Sequence, residues 1–215
     1  MEHAYGLDIP QTLDEFCHPE RMALLVYDMQ AGIVARSLNA DKVTANVVSV
    51  VKAARQHGFR IFFSRHLSLP NQAAGVSQLR SAMAWQGKDR AQDVMPAFPR
   101  GSAEAKILPE ITPLESEVIF DKLGMSFFVG TPLEMALRDC GIRAIVIVGV
   151  VLEVGIEPTI RHASDLGFLP VLVADACGSV NEQARQRSLD ALTFGGSTTL
   201  TDTATICDLF VRGGQ

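Results

Sequence analysis

The sequence predicts an α/β protein, a three-layer α/β/α sandwich built on a mainly parallel sheet of about six strands. Three observations carry this expectation. Short, almost wholly apolar runs such as MALLVYD (22–28) and RAIVIVGV (143–150) suit strands buried on both faces. Between such runs lie segments with apolar residues at helical spacing, as at Val43, Val47, Val50 and Val51. The two kinds of segment alternate along the chain, as they do in βαβ units with helices on both faces of a sheet.

The elements follow in order. MALLVYD predicts a strand that delivers Asp28 at its carboxyl end. ADKVTANVVSVVKAARQHG predicts a helix stopped by Gly58. FRIFFS (59–64) is the next strand, followed by RHLSLP. Residues 67–115 read as irregular, with Pro70, Pro96, Pro99, Pro109 and Pro113 and one helical piece, VSQLRSAMAW. So long a weakly structured segment often carries function. SEVIFDK (116–122) predicts a strand ending at Lys122. TPLEMALRDCG predicts a helix with Thr131 as N-cap, Pro132 in the first turn and Gly141 as the stop. RAIVIVGV is the most apolar run and the expected central strand, and VGIEPTIRHASDLG is the helix after it. LPVLVADA (169–176) is a strand, NEQARQRSLDAL a helix, STTLT a last short strand and TATICDLF the final helix. No linker, internal repeat or low-complexity tract interrupts the alternation, so residues 1–215 read as one domain.

Composition narrows the function classes. Hydrophobic residues make up 47% of the chain, enough for a sizeable core, and the net charge of −5 leaves no basic footprint for nucleic acid. No 18-residue apolar run is free of charges or turn residues, so no transmembrane helix and no membrane partner are expected. The first residues, MEHAYGLDIPQTLDEF, lack the charged-then-apolar order of a signal peptide, and a cytoplasmic protein is the expectation. Cys17, Cys140, Cys177 and Cys207 are scattered, without zinc spacing or a disulfide pattern.

Ligands of open α/β sheets bind beyond the carboxyl ends of the strands. Asp28, Lys122 and the turn around Gly155 all fall there if the strands are correct. Each also has a structural reading: a turn former for Asp28, a solvated lysine for Lys122, a packing glycine for Gly155. A paired Asp and Lys would keep each other charged unless burial shifts them, and a helix N-terminus beside them offers free N–H groups.

These stretches resemble the isochorismatase-like hydrolases, also called cysteine hydrolases. The resemblance runs from LLVYDMQ, through FDKLGMSFFVGTPLEMALRDCGI and IVIVGVVLEVGIEPTIRHASDLGF, to DACGS and beyond. It implies a six-stranded parallel sheet and, in the family's amidases, an Asp-Lys-Cys triad. Asp28 and Lys122 match the first two positions, and Gly155 stands where the nucleophilic cysteine belongs. The resemblance also implies a cis peptide at Val150–Val151, with the amides of Val151 and Gly155 forming an oxyanion hole. Glycine cannot attack a substrate. True isochorismatases also carry glycine here and cleave a vinyl ether without a covalent intermediate, through an acid that protonates carbon. The protonated acid this needs is favoured by burial and opposed by a neighbouring cation.

The expectation is therefore a hydrolase of a small polar or anionic substrate, with Asp28 as general acid or base and Lys122 in support. Two alternatives stand beside it: an amidase whose nucleophile has been replaced by Gly155, and a ligand-binding protein that has kept the fold without turnover. Expected pocket residues are Gln30, His66, Arg80, Trp85 and Phe127, with Arg65, Met125 and Phe128 nearby. An arginine in the long segment would bind a substrate carboxylate. Each of these residues has an ordinary surface or packing role as its alternative. The nicotinamidase branch holds a metal through an aspartate and histidines. Here SRHLSLP supplies only His66, so neither metal nor cofactor is expected. The resemblance implies a homodimer or homotetramer.

Overall fold

The structure, a computed structural model, describes residues 1–214. Its main sheet has six parallel strands in the order β5-β4-β3-β6-β7-β8. The strands are β3 (Met22–Tyr27), β4 (Arg60–His66), β5 (Val118–Lys122), β6 (Ala144–Val150), β7 (Leu169–Gly178) and β8 (Thr199–Thr201). Two strands preceding them, β1 (Glu2–Ala4) and β2 (Leu7–Ile9), form a separate antiparallel hairpin. Its turn places Tyr5 and Gly6 at φ +55° and +77°, as tight hairpin turns demand. The strands are too short and polar for periodicity to announce them.

Period-two alternation sorts β3 into two cores. Met22, Leu24 and Val26 face α2 (Ala40–Gln56) and α7 (Thr203–Gly213). Ala23, Leu25 and Tyr27 face the other way, toward α4 (Leu133–Asp139), α5 (Glu157–Asp165) and α6 (Glu182–Gly195). All six residues of β3 and all seven of β6 are buried, so each presents apolar side chains to both helical layers. The expected three-layer sandwich is what forms. The remaining helices are α1 (Ala31–Val34) and α3 (Val76–Gln86), the latter inside the long irregular segment.

Several boundaries differ from expectation for identifiable reasons. Strand β4 continues two residues past Ser64, because Arg65 and His66 pair with Asp121 and Lys122 of β5. Helix α4 begins one residue later than predicted, with Pro132 at its N-cap. The Thr131 hydroxyl still accepts from Leu133 N at 3.3 Å and donates to Phe127 O at 2.6 Å. After β6 the chain does not enter an α-helix directly. A single π turn, Leu152–Ile156, intervenes, and α5 starts two residues beyond Gly155. The four cysteines are free, and no helix of the described residues is long and apolar enough to cross a membrane.

Candidate active site

The register of the sheet brings the strand ends together. Tyr27 lies beside Gly149 of β6, and His66 lies beside Lys122. Asp28 follows Tyr27 and turns sharply, with φ +45°, a conformation that a non-glycine residue adopts at a cost of about 1–3 kcal/mol. The neighbouring strand holds it there. The Ser64 hydroxyl accepts from Asp28 N at 3.0 Å and donates to Asp28 Oδ1 at 2.5 Å. Lys122 Nζ donates to Asp28 Oδ2 at 2.7 Å and to Gly124 O at 3.2 Å. Asp28 is 4% exposed and Lys122 2%, so this is a buried ion pair. The Lys122 ammonium also lies 4.4 Å from the centre of the Tyr27 ring, within cation–π reach.

On the other side of Tyr27 the backbone of β6 comes unusually close. Gly149 has φ +126°, and a Cβ there would run into the Tyr27 carbonyl, 2.9 Å from its carbon. Only glycine fits. The Val150–Val151 peptide is cis. The Gly155 amide, expected to bind substrate oxygen, donates to Val151 O at 3.0 Å, the carbonyl that also accepts from Ile156 N at 3.2 Å to close the π turn. That corrects the expected oxyanion hole at this position: the turn's own geometry engages the donor.

Gly155 is the second glycine whose missing side chain matters. A Cβ on it would overlap the Tyr27 hydroxyl and lie 2.5 Å from Cζ. Tyr27 is 2% exposed, and its hydroxyl donates to the Met125 carbonyl. Burial first, then the nearby Asp28 charge, pushes the phenol well above its ordinary pKa, so it stays protonated.

These groups form the floor of a cavity of about 380 Å³. Tyr27, Asp28, Val151 and Gly155 line its base, and His66, Trp85, Met95, Phe98 and Met125 line its walls. Trp85 sits at the rim, 58% exposed. Three expected pocket residues lie elsewhere. Gln30 is wholly buried behind the wall, where its Oε1 accepts from His66 N at 2.6 Å. Its Nε2 donates to the carbonyls of His66 at 2.9 Å and Ala105 at 3.2 Å, clamping β4 to the loop. Phe127 is fully buried under the floor, edge-on to Tyr27 at 6.4 Å. Arg80 is exposed on α3 and absent from the lining. It lies about 200° around the helix from Gln78, while Ser81, Ala82 and Trp85 share Gln78's side.

The nearby candidates resolve as structural contacts. Arg65 pairs with Asp121 at 2.6 Å, and Arg100 reaches the same carboxylate at 2.9 Å. Glu157 and Arg161 make the expected helical pair at 2.8 Å. The His162 ring nitrogen meets Ser126 Oγ at 3.0 Å. Cys177 is 2% exposed, absent from the cavity lining, and raised in pKa chiefly by burial. Among the described residues, no group of three or more His, Cys, Asp or Glu side chains could hold a metal ion.

His66 faces the cavity as a neutral imidazole. Burial chiefly, then the Lys122 charge, pushes its pKa down to about 4, against the opposing influence of Asp28. Its Nδ1 is buried without a partner. Because the folded protein resists protonation here, the unfolded chain binds more protons between pH 6.5 and pH 4. Stability contributed by His66 is thus full above pH 6.5 and lost as pH falls toward 4. We expect a loss on the order of 3 kcal/mol over that window. Urea titrations across the window should show a clearly shallower decline in His66→Phe.

Three site groups escape sequence reasoning: Ser64, Tyr27 and Arg36. Ser64 is the polar end of FRIFFS, Tyr27 the one polar residue before Asp28, and Arg36 lines the cavity beside the Phe98 ring at 5.6 Å.

Comparison with known proteins agrees with this architecture. The isochorismatase domain matches residues 22–205, and the chain belongs to the isochorismatase family. Enterobactin synthase component B of Escherichia coli K12 is 26% identical over 195 residues, covering 86% of this chain and 64% of that protein. The chain therefore spans less than two thirds of that relative's length. A cysteine hydrolase from Pseudomonas syringae superposes with a TM-score of 0.76 at 20% identity, over 91% of this chain and 95% of the other. N-carbamoylsarcosine amidase from Thermoplasma acidophilum gives 0.68 at 19% identity, over 85% and 96%. At those identities the structural likeness speaks for the fold, and the domain match carries the family.

Proposed function

We propose that the protein hydrolyses a small, largely apolar molecule without a covalent enzyme intermediate, and that Asp28 is its general acid and base. The observation that carries this reading is Asp28 on a cavity floor shared with Gly155, ion-paired to Lys122 buried behind it. Both Asp28 oxygens accept hydrogen bonds, one from Ser64 and one from Lys122. Such a carboxylate takes a proton from an attacking water and returns it to the leaving group. Lys122 keeps the carboxylate in place and offsets its charge, and Ser64 fixes its rotation. Residue 155 offers no nucleophile.

The lining narrows the substrate. The arginines of the long segment do not hold a substrate: Arg80 lies outside the lining, and Arg65 and Arg100 share Asp121. The arginine that does line the cavity is Arg36, over the Phe98 ring, and it is the group available to a polar or anionic end of the substrate. Asn71 Nδ2 donates to Val94 O at 2.6 Å, and Gln86 Nε2 to Met95 O at 2.7 Å, so these wall amides serve the wall itself. What faces the space is chiefly Leu67, Leu69, Trp85, Met95, Phe98 and Met125. A substrate that buries apolar surface there gains about 25 cal/mol per Å².

The test is a panel of esters, amides and enol ethers with apolar bodies, each with and without a carboxylate. Turnover is expected with members that carry an apolar body, and it should fall by about 10²-fold or more in Asp28→Asn. A panel turned over equally well by Asp28→Asn, or only in members without an apolar body, would contradict the proposal. On a substrate so identified, Trp85→Ala should raise KM about tenfold through lost apolar contact. Arg80→Ala should change kcat and KM less than about twofold, as surface changes away from a site do. Family membership supports a homodimer or homotetramer as part of the same proposal, which light scattering of the purified protein tests.

A further inference from the structure

Tyr27 and Gly155 are 128 positions apart, yet each explains the other. The space that a side chain at 155 would enter already holds the Tyr27 phenol. An added Cβ would meet Cζ at 2.5 Å and Cε1 at 2.7 Å, besides overlapping the hydroxyl. The ring cannot step aside without disturbing several contacts at once. It is buried, edge-on to Phe127, bonded to the Met125 carbonyl, and has Lys122 Nζ over its face at 4.4 Å. The walls behind Gly155 are equally fixed. The Gly155 carbonyl accepts from Thr159 Oγ1 at 2.7 Å, and Thr159 Oγ1 in turn accepts from Phe127 N at 3.0 Å.

We propose that Tyr27 and Gly155 form one reciprocal unit, in which the phenol occupies the slot of a side chain at 155 and so keeps this site free of a nucleophile. It deepens the function proposed above, and rests on that reading only in taking this cavity for the site of reaction. A corollary follows from the geometry. Exchanging both residues, a small apolar one at 27 and a cysteine at 155, leaves a thiol in the emptied phenol volume, beside the Lys122 ammonium and facing the cavity. Exchanging Gly155 alone does not. An ammonium neighbour favours the thiolate, the reactive form.

The experiment compares the wild type with Gly155→Cys, Tyr27→Val and the double variant. Valine suits a strand position. Each protein is melted, then treated with iodoacetamide at a series of pH values, and alkylation at each cysteine is read by peptide mass spectrometry. The native cysteines are internal controls: burial pushes Cys17 up to about 12 and raises Cys177 further. The double variant should fold, and its introduced thiol should react at pH 7 about tenfold faster than any native cysteine, with a midpoint below the ordinary thiol value of about 8.5. Gly155→Cys alone should melt well below the wild type, or fold with that thiol protected.

A Gly155→Cys protein that melts like the wild type and alkylates as fast as the double variant would overturn the proposal. So would a double variant that fails to fold while Tyr27→Val folds, or one whose introduced thiol reacts no faster than the native cysteines. Tyr27→Val gives an independent reading, since it should open a phenol-sized hollow beside Gly155. Added p-cresol should raise its melting temperature and leave the wild type unchanged; no such rise also counts against the proposal. None of these assays measures turnover, so they stand or fall separately from the role of Asp28.

Discussion

Asp28→Asn is expected to lower kcat/KM by about 10²- to 10⁴-fold, the usual contribution of a positioned general acid or base. The substitution keeps the size of the side chain. It also keeps an oxygen that can accept from Ser64, so the turn at φ +45° retains its support. What disappears is the ability to take and return a proton. KM should change much less than kcat, because the walls that hold the body of the substrate are untouched. A loss confined to KM would mean that Asp28 binds and does not react. The check is steady-state kinetics alongside far-UV circular dichroism, so that unfolding is not read as lost chemistry.

The second large effect is on stability. Lys122→Met should destabilise the fold by about 3–5 kcal/mol, because it leaves the Asp28 carboxylate buried beside an apolar chain. Lys122 is 2% exposed and gives Asp28 its shortest cationic contact, 2.7 Å, so water cannot replace it without opening the floor. The pair is more telling than the single variant. In Asp28→Asn/Lys122→Met neither charge is left alone, and much of the lost stability should return. Urea denaturation of the four proteins closes the double-mutant cycle. Additive losses from the two single variants would show that the ion pair is not coupled in the fold. Activity should be absent from the double variant even as its stability recovers, which separates the stabilising role of the pair from its chemical one.

How much of this was legible in the sequence depends on the range of the contacts. Asp28 and Lys122 could be placed because each ends an apolar run, and Gly155 because it follows the most apolar run of all. Strand ends are local features, and a parallel sheet gathers them on one edge whatever the detailed register. Register is what the sequence withholds. Ser64 meets Asp28 only because β4 lies next to β3, and His66 joins the sheet only because β5 pairs with it. Gln30 and Phe127 are close to the right residues in sequence, but their pleat and turn send them behind the wall and under the floor. Tyr27 escaped notice because its meaning depends on a residue 128 positions away. The long segment supplies much of the cavity wall. Trp85 and Arg80 both lie on its helix α3, which buries no residue, so no apolar stripe in the sequence tells the one that lines the cavity from the one that does not.

The central claim is hydrolysis through Asp28 with no bond formed between enzyme and substrate. The most direct measurement is intact-protein mass spectrometry of enzyme quenched in acid during steady-state turnover of a substrate from the panel. The account predicts the unmodified mass alone, with product accumulating. A substrate-derived mass carried by the protein, rising and falling with turnover, would contradict it.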